Sequence, residues 1–106
     1  MKKHLIAAAI VTALASSTLA ADKVEFVKGL LKRNSANTTQ MLSVKNNTTS
    51  TIRHVHVNCG FFHDDLLVGT HGASFDNIPP GLMAYDYTVT DATNVTNVDC
   101  RIDSVD

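Results

Sequence analysis

The sequence predicts a small antiparallel, immunoglobulin-like β-sandwich of six or seven strands, and three observations carry that prediction. From Val24 onward the chain breaks into short β-branched or alternating segments with turn formers between them. After the first twenty residues no segment shows a convincing helical stripe. Its two cysteines, Cys59 and Cys100, each sit at the centre of an apolar strand face.

The elements follow in chain order. Residues 1–20 read as a secretory signal peptide. Lys2 and Lys3 precede an apolar run from Leu5 to Ala15, and small residues lead to Ala20, where cleavage is expected. That run is too short for the ~20 residues of a membrane span, so no membrane anchor is expected after cleavage. Residues 21–106 then form a single domain with a modest core. Val24 to Leu31 fits both a strand and a helical stripe, and it is read as a strand because everything after it is β-like. Thr38 to Asn46 is the second strand, closed by the turn-forming cluster Asn46-Asn47-Thr48-Thr49-Ser50.

Ile52 to Phe62 is the strongest strand, long and β-branched, and His63-Asp64-Asp65 turns it into Leu66 to Thr70. Gly69 and Gly72 suggest a bulge or a strand that switches sheets before the segment continues to Ile78. Pro79-Pro80-Gly81 must end it, because neither proline can donate to a ladder and glycine tolerates positive φ. Leu82 to Thr90 alternates, with Met83, Tyr85, Tyr87 and Val89 on one face. Asp91 to Asn94 is the last turn, and Val95 to Val105 the last strand.

Alternation puts Val55, Val57, Cys59 and Phe61 on one face of the third strand, and Val98, Cys100 and Ile102 on one face of the last. Two cysteines in a small exported domain most simply pair, here across the core, and the bridge is worth roughly 4 kcal/mol by chain entropy. A free reactive or metal-binding thiol is the competing reading.

Without Lys2 and Lys3, 7 basic residues face 10 acidic ones. That balance gives no footprint for nucleic acid or an anionic membrane. The short, alanine-rich signal places the product in the bacterial periplasm or outside the cell.

The segments Val44-Lys45-Asn46-Asn47-Thr48, Val55-His56-Val57, Phe62 with Asp64 and Asp65 before Leu67-Val68-Gly69, and Ile78-Pro79-Pro80-Gly81 resemble bacterial FxLYD-like exported β-sandwich domains. The resemblance covers Val44 to about Ala84. It implies a sandwich fold and an accessory role on the cell envelope, and it supplies no catalytic residues.

No catalytic constellation stands out: there is no Cys-x-x-Cys and no glycine-rich phosphate loop, and no cofactor is called for. The chain reads as a non-enzymatic binding protein with an unidentified protein partner. Its candidate interaction surface is the polar set Arg53, His54, His56, Asn58, Asp99 and Arg101. The alternative is periplasmic copper or zinc binding. His54 and His56, at i and i+2 on one strand face, would be the first two ligands, and His63 and His71 would complete the set.

Overall fold

A computed structural model describes residues 23–106, so the signal-peptide reading of residues 1–20 lies outside it. Six strands form two antiparallel sheets: β1 (Val24–Arg33), β2 (Thr38–Asn46), β3 (Ile52–His63), β4 (Leu66–Ile78), β5 (Met83–Thr90) and β6 (Asn97–Val105). One sheet has the order β1-β2-β5 and the other β4-β3-β6. These orders correspond to the A-B-E and C′-C-F strands of an immunoglobulin-like sandwich.

The ambiguous first segment is a strand. A bulge between Lys28 and Leu31 sets Gly29 and Leu30 against Met41 of β2. β4 stays in one sheet along its whole length, so the expected switch of sheets does not occur. Its bulge falls at Val68, since Phe61 pairs with Gly69 and Phe62 with Leu67. Gly69 is needed for another reason: a Cβ there would overlap Thr90 Oγ1 of the facing sheet. Gly72 leaves room for the His56 ring, whose Nε2 would lie 3.0 Å from a Cβ at that position.

The two sheets bury Val44, Val55, Val57, Phe61, Phe75 and Val98 between them. The interior is not uniformly apolar. Thr38, Gln40, Thr88 and Thr90 are also buried, on facing positions of β2 and β5. Gln40 Nε2 donates to Gly29 O at 2.8 Å, and the Thr38 hydroxyl donates to Ala92 O at 2.8 Å. Among the described residues Thr88 Oγ1 has no partner. At the opposite seam β1 meets β6, where Lys28 Nζ donates to Val98 O and an Arg33 guanidinium nitrogen to Val95 O.

Cys59 and Cys100 are bonded, as expected, but not across the core. They are direct cross-strand partners on β3 and β6, within one sheet, with Cα atoms 4.0 Å apart. So close an approach belongs to the non-hydrogen-bonded pair type of an antiparallel ladder. Both cysteines do face inward; alternation fixed their face and could not say which strand lay alongside.

Asn46 ties the end of the sandwich together. Its buried side chain donates to Ser50 O (2.9 Å) and Ile78 O (2.7 Å), and accepts from Thr48 N (2.8 Å) and the Thr48 hydroxyl (2.7 Å). Its backbone N–H donates to Leu82 O, and its carbonyl accepts from Gly81 N. Gly81 has φ of 77°, the left-handed conformation that the Pro79-Pro80-Gly81 turn requires. One side chain thus joins the β2–β3 turn to the end of β4.

Candidate interaction surfaces

Each sheet turns one face to solvent, and the two outer faces differ in chemistry. On the β4-β3-β6 sheet, alternation brings His54, His56 and Asn58 of β3 outward between Asp76, Ser74 and Gly72 of β4 on one side and Ser104 and Arg101 of β6 on the other. The polar side chains here pair with one another. His54 Nδ1 lies 2.8 Å from Asp76 Oδ1, and His56 Nδ1 lies 3.3 Å from Asp103 Oδ2. Arg101 Nε donates to the other oxygen of Asp103 at 3.3 Å. The His54 and His56 rings lie nearly parallel, 6.4 Å apart between centroids.

Of the six residues expected to form the interaction surface, His54, His56, Asn58, Asp99 and Arg101 lie on the outer face, and Arg53 is exposed beside His54 at the start of β3. Toward the β3–β4 hairpin this face holds a shallow groove of about 420 Å³ along the Cys59–Cys100 rung, with Asp99 and Arg101 on one wall and Leu67 and Thr70 on the other. Gly60 is covered there by the Phe62 ring, 3.1 Å from where a Cβ would stand.

The four histidines do not converge. His63 stands at the far end of β3 from His54, about 30 Å along an extended strand. Its Nδ1 meets Asn94 O at 2.7 Å. His71 pairs with Cys59 on the inward side, edge-on to Phe61 with ring centroids 5.8 Å apart. Among the described residues no group of three or more His, Cys, Asp or Glu side chains is placed to hold a metal ion. Strand alternation and length separate a set that looked compact in the sequence.

The outer face of the β1-β2-β5 sheet is apolar at its centre and along β5. Met83, Tyr85, Tyr87 and Val89 of β5 all point to solvent, and Tyr85 and Tyr87 are 75% and 57% exposed. Their inward counterparts are Ala84, Asp86, Thr88 and Thr90, so this strand presents its larger, more apolar side to water. The register lays out four rows across the sheet. Glu25, Lys45 and Met83 form the first, and Val27, Ser43 and Tyr85 the second. Leu30, Met41 and Tyr87 form the third, and Lys32, Thr39 and Val89 the fourth. Ser43, set between Val27 and Tyr85 in its row, is only 8% exposed. At the rim, Asp86 Oδ1 accepts from Tyr87 N at 2.7 Å, which occupies an outward-facing N–H of this edge strand.

No family model matches the chain, and comparison with curated proteins and with solved structures finds no match. A contiguous apolar face with two exposed tyrosines is the feature least explained by folding, since isolated exposed apolar residues are ordinary but an assembled face is not. The sequence carried its signal in the alternation Met83, Tyr85, Tyr87, Val89; what it lacked was which side faced in.

Proposed function

We propose that this is an exported, non-enzymatic binding protein of the bacterial envelope that acts through protein–protein contact. Its binding surface is the outer face of the β1-β2-β5 sheet, centred on Tyr85 and Tyr87. The observation that carries the reading is the inverted polarity of β5, with tyrosines outside and threonines inside. Tyrosines supply large, rigid contact area at low entropic cost and are enriched at interfaces. The disulfide is compatible with an oxidising, exported location, and the charged and apolar character of residues 1–20 supports secretion into the periplasm or beyond. Membership of the FxLYD-like exported domains is part of the same proposal, and the sandwich is the fold that it implies.

The test is a crosslinking capture in the native host, comparing wild type, Tyr85→Ser/Tyr87→Ser and His54→Ala/His56→Ala. The proposal requires that a defined crosslinked species be lost with the tyrosine pair and kept with the histidine pair. Retention in the tyrosine variant, or loss in the histidine variant alone, would move the function to the other sheet.

A further inference from the structure

The four-row layout of the apolar face is self-complementary, and we infer that its partner is a second copy of this chain, packed face to face about a two-fold axis. This rests on the reading above that the face binds protein. Consider an axis lying in the interface, perpendicular to the strands and passing between the second and third rows. It sets β1 on β1 and reverses the row order, so the first row of one copy meets the fourth row of the other. Glu25 then stands over Lys32 of its mate, twice, by symmetry. Met83 meets Val89, Tyr85 meets Tyr87, and Val27 meets Leu30. The alternative axis, parallel to the strands, sets Lys45 on Lys45 and leaves Glu25 and Lys32 opposite apolar residues. Charge complementarity thus selects the first arrangement, and it is isologous and closed, as most homodimers are.

The area is sufficient. Tyr85, Tyr87, Leu30, Val27, Met83 and Val89 together expose on the order of 650 Å². A face-to-face pair would remove roughly 1,300 Å², inside the ~1,200–2,000 Å² range of specific interfaces and near its lower end. Sheets packed this way sit about 10 Å apart with strands turned by about 30°, which leaves the central tyrosines in contact. An interface near the lower end of that range is expected to be weak, with a dissociation constant of roughly micromolar.

Sedimentation equilibrium on the chain isolated from its host reads the association directly. Wild type should be dimeric at tens of micromolar, about the scale set by that interface. Tyr85→Ser should weaken the dimer tenfold or more. Glu25→Lys and Lys32→Glu should each weaken it about tenfold, and the double reversal should restore it to within about threefold, because the pair is exchanged and not removed. Association insensitive to either charge, or not rescued by the double reversal, would overturn the arrangement. A photo-crosslinking phenylalanine analogue at position 85 separates the two readings in the native host. Crosslinks to the chain itself support the dimer. Crosslinks to a different protein overturn the second copy and keep the face as a binding surface. No crosslink at all overturns both.

Discussion

Replacing Thr88 by valine should stabilise this protein, against the usual direction of core substitutions. Thr88 lies inside the sandwich opposite Gln40, 3% exposed, and its hydroxyl has no partner among the described residues. Folding strips that hydroxyl of water and returns nothing, a cost of about 1–3 kcal/mol. Valine keeps the branched shape and the β preference and removes the hydroxyl, so a gain of about 1 kcal/mol is expected. Thr38 supplies an internal control. It is equally buried, yet its hydroxyl donates to Ala92 O at 2.8 Å. The same change to valine there leaves a carbonyl unpaired and should cost about 1–2 kcal/mol. Urea denaturation of both variants, with m unchanged and the midpoint moving up for one and down for the other, is the assay. In a domain of this size each kcal/mol moves Tm by about 4–8 °C, so the difference is easily resolved. A neutral or destabilising result for Thr88→Val would mean that the hydroxyl is satisfied in solution, and the reasoning would fail.

The remaining predictions concern the elements that hold the sandwich together and the histidines. Asn46→Ala removes four side-chain hydrogen bonds that link the β2–β3 turn to the end of β4, and should destabilise by about 3 kcal/mol in the same urea assay. Cys59 and Cys100 should alkylate only after reduction, as read by mass. The Cys59→Ala/Cys100→Ala pair should lose about 2–4 kcal/mol, because the bond closes a long loop (sequence separation 41) in the unfolded chain. Calorimetry with Zn(II) and Cu(II) should show no binding tighter than about micromolar that depends on His54 and His56, since two ligands alone do not make a closed site. His54→Ala/His56→Ala should change stability by no more than about 0.5 kcal/mol, as exposed pairs contribute little.

Much of the fold is legible in the residues because local chemistry settled it. Thr38–Asn46 is a strand with the bounds that its alternation and the Asn-rich turn suggest. Asp64 adopts φ of 54° in the hairpin, which aspartate tolerates better than most residues. Three things were hidden, each of them non-local. Alternation assigns Cys59 and Cys100 to faces, but whether two such faces lie across a core or along one sheet depends on strand order. Gly69 looked like a bulge or a crossing point, while its cause is a threonine twenty-one positions later on the facing sheet. The outward tyrosine face was hardest to see. In β5 the large residues alternate with Asp86, Thr88 and Thr90, and hydrophobicity alone would turn the tyrosines inward. The buried threonines pack beside Thr38 and Gln40, a polar patch of the interior that only the pairing of β2 with β5 reveals.

The side chains of Lys28 and Arg33, laid over carbonyls of β6 and the loop before it, bear on how large any assembly can grow. An open strand edge invites another chain to add to the sheet, and then another, without limit. Here charged side chains occupy part of that edge, and Asp86 occupies an N–H on β5. Lateral polymerisation is therefore discouraged while the tyrosine face stays free. Association through a face closes after one event, whereas association through an edge repeats, so these three residues favour a finite complex over a fibre.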